Sequence, residues 1–160
     1  MKAAVKIVVS ETPAQQLAGF LDKFDPAVAK RIREARSALR KRLPTAFELV
    51  YDNYNFLAIG FGPTDRASDA MVSLAANAKG VSLCFVWGVN LPDPEKILKG
   101  AGNQTRFVRL ETARTLSEPA VEALLCAAID QSRAPFPTTG PGQTIIKSIS
   151  AKQRPRRPKA

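Results

Sequence analysis

FELVYDNYNFLAIGFGP, residues 47–63, contains two predicted β-strands separated by a turn. Residues 47–54 alternate in polarity and are rich in aromatic and β-branched side chains, which is typical of a strand. Two asparagines suit the turn, and the second strand, 56–61, ends at Gly62-Pro63. Because a short turn joins two antiparallel strands, this stretch predicts an antiparallel sheet.

Three more strand patterns follow toward the C-terminus. Residues 70–76 and 81–87 flank Ala78-Lys79-Gly80, where glycine supplies the positive φ that a hairpin turn needs. The second of these segments is apolar at nearly every position, so we expect a central strand. A further strand is predicted at 105–111. Residues 144–150 form a short β-prone patch that is either an edge strand of the domain or a peptide for a partner.

Helix-start patterns flank the strands. Thr12 is followed by Pro13 and Gln15, the pattern of a capped helix, and a second helix over 26–42 stops before a proline. A short helix is expected at 95–98 and a last one after Ser117. The order predicts an α+β fold, a mostly antiparallel sheet of about five strands with helices packed on one face.

The length of 160 residues fits one domain. We predict an N-terminal extension at 1–12, the α+β domain at 13–132, and a basic, proline-containing C-terminal tail at 133–160. No apolar run is long enough to span a membrane. The only cysteines, Cys84 and Cys126, lie in apolar segments. We interpret both as reduced core residues, which favours a cytoplasmic location.

The net charge of +10 is unevenly placed. Residues 133–160 carry +7 with no acidic residue, and residues 30–42 carry +6, so the remainder is at −3. A polyanion such as nucleic acid is therefore a possible partner, provided that the fold places helix 26–42 and the tail on the same side. The alternatives are a solvated helix face and a solubilising tail. The candidate residues are Lys30, Arg33, Arg36, Arg40, Lys41, Arg154, Arg156 and Arg157.

The chain contains no histidine. This absence excludes Ser-His-Asp and Cys-His catalysis and histidine-ligated zinc, and with no catalytic motif we expect a non-enzymatic protein. Tyr51 and Tyr54 form a candidate sheet pocket if they lie beside Trp87. Half-buried sheet positions are the alternative interpretation of these residues.

The loop that precedes the predicted strand at 105–111 is a candidate anion site. Gly100 and Gly102 would let backbone N–H groups converge, while Lys99 and Arg106 would add positive charge. It is not a P-loop, because no Gly-Lys-Ser/Thr follows. The alternative is a simple turn into an edge strand.

Several motifs resemble the YdhG-like family, a large bacterial family catalogued as a domain of unknown function. The motifs are Tyr51-Asp52-Asn53-Tyr54-Asn55, Gly60-Phe61-Gly62-Pro63, Leu91-Pro92-Asp93-Pro94, Leu98-Lys99-Gly100-Ala101-Gly102 and the closing residues 150–158. The resemblance implies a frataxin-like α+β fold, and one relative is described as a frataxin-like iron chaperone. It implies no settled catalytic residues.

Iron binding would require clustered oxygen ligands. The metal candidates are Glu48 and Asp52, which face one side of the first strand, with Glu111 on an edge strand; Asp22 and Asp25 form another pair. The sequence thus favours a non-enzymatic binding or scaffolding protein with no cofactor and an unidentified partner, and a homodimer is possible. A nonspecific nucleic-acid-associated protein and an iron chaperone are the alternatives.

Overall fold

The computed structural model describes residues 11–159. The helices are α1 (Pro13–Leu21), α2 (Pro26–Arg42) and α3 (Pro119–Asp130). The strands are β1 (Phe47–Asp52), β2 (Leu57–Gly62), β3 (Val72–Asn77), β4 (Gly80–Phe85), β5 (Arg106–Leu110) and β6 (Thr144–Ile149). The predicted N-terminal extension, 1–12, lies outside these residues except for its last two positions.

The strands form one open mixed sheet in the order β5-β4-β3-β2-β1-β6. Successive pairs from β1 to β5 are antiparallel, whereas β6 runs parallel to β1. The fold is therefore α+β, as predicted, but the sheet has six strands rather than about five. The additional strand is the β-prone patch near the C-terminus, which adds to the edge of β1 as one of the two expected alternatives.

The core lies between the helices and one face of the sheet. Val50, Ile59, Leu74, Leu83 and Val108 stand side by side in register across five strands, and each is at most 6% exposed. All three helices contribute buried side chains to the same cluster. Their apolar stripes pack there because burying that surface from water drives folding.

The helix starts follow their local chemistry. The Thr12 hydroxyl accepts a hydrogen bond from the Gln15 amide, and the Gln15 side chain accepts one from the Thr12 amide, which completes the expected capping box. The prediction of a short helix at 95–98 is wrong, because these residues form a loop. Both Asp93 carboxylate oxygens accept backbone amides, from Ile97 and Leu98, and Lys96 has a φ of 54°. The side chain thus stabilises a loop in place of a helical turn.

The prediction for the cysteines holds only in part. Cys84 is half-buried on β4, and burial raises the pKa of its thiol to about 11. Cys126 is exposed on α3. It is not a core residue, because the buried face of that helix is formed by Val121, Leu124, Leu125 and Ala128.

The predicted tail, 133–160, requires a correction. Its Gly142 amide donates to the Pro44 carbonyl, β6 then pairs with β1, and the Arg154 amide donates to the Tyr54 carbonyl. Arg156 is only 4% exposed. The domain therefore does not end near residue 132, because main-chain hydrogen bonds and a buried side chain hold the C-terminal segment, residues 150–159, against it.

The two ends of the sheet have different surroundings. The turn end carries the β1–β2 turn (53–56), the β3–β4 turn (78–79) and the C-terminal segment that follows β6. The opposite end carries the β2–β3 and β4–β5 connections. No helix within residues 11–159 is both long and apolar enough to cross a membrane.

Candidate functional site

Glu48 is a carboxylate buried under α2. Its oxygens accept hydrogen bonds from Arg36 Nε at 2.6 Å and Nη2 at 2.8 Å, from Arg40 Nη1 at 2.9 Å, and from the Thr144 hydroxyl at 2.7 Å. The side chain is 0% exposed. A buried carboxylate requires this degree of pairing, because an isolated buried charge is strongly unfavourable. Two arginines of the basic helix therefore point into the fold.

Asp52 forms a second buried centre on the same face of β1, two residues beyond Val50. Lys23 Nζ lies 2.7 Å from Asp52 Oδ2, and Arg156 Nη2 lies 2.9 Å from Asp52 Oδ1. Burial alone would raise the pKa of Asp52. The hydrogen bonds from Lys23 and Arg156, with the charge of Lys23, outweigh that effect and lower the pKa below its ordinary value.

These contacts bear directly on the metal candidates. Glu48 and Asp52 face the same side of the strand, as predicted, but each is surrounded by cations that would repel a metal ion. Glu111 is exposed and follows β5 rather than lying on it. Asp22 and Asp25 flank the α1–α2 joint. Over residues 11–159 no three histidine, cysteine or acidic side chains form a group that could hold a metal.

The nucleic-acid candidates on α2 divide into two groups. Arg36 and Arg40 form the ion pairs with Glu48, whereas Lys30, Arg33 and Lys41 are exposed. Lys30 Nζ lies 3.8 Å from Glu34 Oε1, one helical turn later. Such an exposed ion pair contributes little to stability. Only part of the predicted basic face is therefore available to a polyanion.

The loop at 99–106 lies at the opposite end and has carbonyl groups where an anion site needs N–H groups. Arg106 Nη1 donates to the carbonyls of Gly102 at 2.6 Å and Thr105 at 2.9 Å, and Lys99 exchanges two backbone hydrogen bonds with Phe107. Gly100 has a φ of 124°, which the tight turn requires. The geometry corresponds to a turn into edge strand β5.

The three residues of the predicted sheet pocket do not meet. Tyr54 lies in the β1–β2 turn, whereas Trp87 follows β4 at the opposite end of the sheet. Tyr51 stands on the face of β1 away from Val50. Trp87 borders a cavity of about 20 Å³, and the Arg133 guanidinium lies 4.7 Å from the centre of its ring. That space holds about one water molecule.

A larger groove of about 370 Å³ lies at the turn end. We call it the turn-end groove; it is formed by the β1–β2 turn, the β3–β4 turn and residues 154–159. Four of its lining side chains are cationic: Lys79, Arg154, Arg157 and Lys159. None of these four forms an ion pair within residues 11–159, and no acidic residue of that range lines the groove.

Aromatic rings lie beside these charges. Phe56 lines the groove and is 39% exposed, and the neighbouring Tyr54 is 49% exposed. The Arg154 guanidinium lies 5.7 Å from the centre of the Tyr54 ring, within cation–π range. Contiguous exposed apolar side chains, rimmed by polar ones, often mark a binding site, so the two rings are candidates for ligand contact.

Sequence reasoning placed Arg154 and Arg157 among the candidates but missed Lys79, Lys159 and Phe56. The groove brings two turns, about 25 residues apart in the chain, together with a segment about 100 residues beyond the first turn, so no local pattern could reveal it. One clue was available. The turn reads Tyr54-Asn55-Phe56, and two large aromatic side chains in a short turn have little room to be buried.

The groove can hold a chain of negative charges through its cations and flat rings through its aromatic side chains.

A scan against protein-family models, a search of curated proteins and a search of solved structures each returned no match.

Proposed function

We propose that this protein is a non-enzymatic binding protein whose ligand is nucleic acid, bound at the turn-end groove. One observation carries the proposal: four cations that form no ion pair within residues 11–159 lie together with two exposed aromatic rings at one end of the sheet. A clustered set of cations is the electrostatic footprint of nucleic-acid binding, and neutralising phosphates with such cations releases condensed counterions, which supplies sequence-independent affinity.

The proposed surface differs from the one expected along α2. Arg36, Arg40 and Arg156 pair with buried carboxylates. A phosphate group could bind these arginines only if those ion pairs broke. The exposed Lys30, Arg33 and Lys41 add positive potential along α2. That potential steers a polyanion toward the protein without forming the contact surface.

Membership of the YdhG-like family, with its frataxin-like fold, is part of this proposal, as is a cytoplasmic location. The motifs at 91–94 and 98–102 support the family assignment, together with helices on one face of a largely antiparallel sheet. Iron transport is not proposed, because the sheet-face carboxylates are already paired with cations.

The test is fluorescence anisotropy with labelled DNA of mixed sequence, single-stranded and duplex, at salt concentrations from 50 to 200 mM. If the four cations each neutralise one phosphate of a single strand, the logarithm of the association constant should fall linearly with the logarithm of the salt concentration, with a slope of about −3. The double variant Lys79→Gln/Arg154→Gln should bind several-fold more weakly and reduce the slope magnitude by about 1.4.

The matched control is Arg66→Gln/Lys99→Gln. It removes the same two charges from exposed positions at the opposite end of the sheet and should bind like the wild type. Equal weakening by both double variants would show that total charge, and not the groove, governs binding. No binding of either DNA at 50 mM salt would refute the proposed function.

A further inference from the structure

We infer that the turn-end groove takes single-stranded nucleic acid, with unpaired bases stacked on Phe56 and Tyr54 and phosphates along the cations. This inference rests on the proposed function and specifies its ligand. In a duplex the base faces are already stacked on one another, so only the phosphate contacts would remain available to this groove. The aromatic rings distinguish the two ligands.

The position of the rings favours stacking. Tyr54 and Phe56 belong to one short turn. Phe56 lines the groove together with Lys79 and Arg154, and the Arg154 guanidinium lies beside the Tyr54 ring, so each ring has a cation in its neighbourhood. Base–aromatic stacking tolerates any sequence because every base has a π-face. Combined with a basic groove, it is the usual arrangement of proteins that bind single strands without sequence preference.

Side-chain amides in the same groove add hydrogen-bonding capacity. Asn55 and Asn77 both line the groove. The Asn77 oxygen accepts the Lys79 amide at 2.8 Å, which orients its NH₂ group as a donor. Amide groups in this position can bond to the polar edges that unpaired bases expose.

The groove wall formed by the C-terminal segment is held in place from behind. Arg156 pairs with Asp52. Arg157, which also lines the groove, anchors the same wall through Nε and Nη2, which donate to the carbonyls of Lys23 and Asp22 after the end of α1, each at 3.3 Å. These contacts leave Arg154 and Lys159 on an ordered backbone. A preformed surface loses less conformational entropy when it binds.

The experiment compares labelled dT20, rU20 and a 20-base-pair DNA duplex by anisotropy. The wild type should bind either single strand more tightly than the duplex. Phe56→Leu, which keeps an apolar side chain, should weaken single-strand binding about fivefold or more and leave duplex binding nearly unchanged. Phe107→Leu, at a half-buried aromatic position on β5, is the matched control and should bind like the wild type.

A spectroscopic readout locates the bases. The wild type contains one tryptophan, Trp87, which lies at the opposite end of the sheet, so single strands should leave its fluorescence unchanged. Phe56→Trp should add emission that dT20 quenches through stacking. Duplex binding as tight as single-strand binding, or an unquenched Phe56→Trp emission, would overturn the inference while leaving the proposed function intact. Failure of all three probes to bind would refute both.

Discussion

At the scale of single residues, three arginines within four positions of the C-terminal segment have three different roles. Arg154 lies beside an exposed ring, Arg157 donates to the end of α1, and Arg156 is buried against Asp52. The Arg156 Nη2 atom also donates to the Asn53 carbonyl at 2.6 Å. The guanidinium carbon of Arg156 lies 5.9 Å from the centre of the Phe24 ring. Burial, and not sequence position, separates Arg156, which is ion-paired inside the fold, from the exposed Arg154 two positions earlier.

Arg156→Ala should lower the free energy of unfolding by about 3 kcal/mol, because it removes one partner of a buried ion pair. Arg154→Ala, two residues earlier, should cost about 1 kcal/mol or less, since only an exposed cation–π contact is lost. Urea denaturation of both variants gives the measurement. Equal destabilisation would mean that the buried pair contributes no more than the surface contact.

Asp52 also makes stability depend on pH. The pKa of Asp52 is lowered in the folded protein. The contribution of Asp52 to the free energy of unfolding is therefore fully present above the ordinary carboxyl pKa of about 4, and it is lost as pH falls through the lowered value. The difference in unfolding free energy between wild type and Asp52→Asn should therefore shrink as pH falls from 6 to 3.

The control for this titration is the exposed Asp65, which forms no ion pair within the described chain. Asp65→Asn should change the free energy of unfolding little, because the side chain is exposed and makes no ion pair within the described chain. A wild-type minus Asp52→Asn difference that stays flat from pH 6 to 3 would contradict the lowered pKa.

At the scale of elements, β6 connects the two buried carboxylates to the C-terminal segment. Thr144 at its start donates to Glu48, and the backbone after its end reaches Arg156, which binds Asp52. The strand itself is half-exposed and carries little apolar surface into the core. Its place therefore depends on main-chain pairing with β1 and on polar contacts at both ends.

Gly142 lies two residues before β6 and allows the chain to approach the start of β1 closely. A Cβ atom at this position would overlap the Ala46 carbonyl oxygen, so Gly142→Ala should push the chain away from β1. We expect a loss of about 1–3 kcal/mol and faster hydrogen exchange in β6. Gly102→Ala is the control, because a Cβ atom there meets nothing within 4 Å. Unchanged β6 exchange in Gly142→Ala would show that the close approach does not position the strand.

At the scale of the whole molecule, the positive charge divides into a set that is paired with buried carboxylates and a set that is exposed. Arg36, Arg40, Lys23 and Arg156 neutralise carboxylates inside the fold. The cations of the turn-end groove remain without ion-pair partners in residues 11–159 and face solvent. Counting charges along the chain treats both sets alike, so it does not separate Arg36 and Arg40, which pair with Glu48, from the exposed cations of α2.

The sequence by itself determined the local features. Periodicity and capping chemistry placed α1, α2, the strands β1 to β5 and α3 to within a few residues, because these depend on neighbouring side chains. Alternation in β1 also put Glu48 and Asp52 on one face. The α+β class followed from the order of these elements. The short helix at 95–98 failed because one Asp93 side chain captured the amides that a helix would have used.

Only the tertiary structure decided how distant segments meet. The Thr144–Glu48 contact spans 96 residues and the Arg156–Asp52 pair spans 104. Such contacts depend on the packing of the complete sheet, and no local periodicity encodes them. Tertiary packing also adds the sixth, parallel strand, places Arg36 and Arg40 against Glu48, and brings Phe56 to the cations of the C-terminal segment. The turn-end groove therefore exists only in the folded chain.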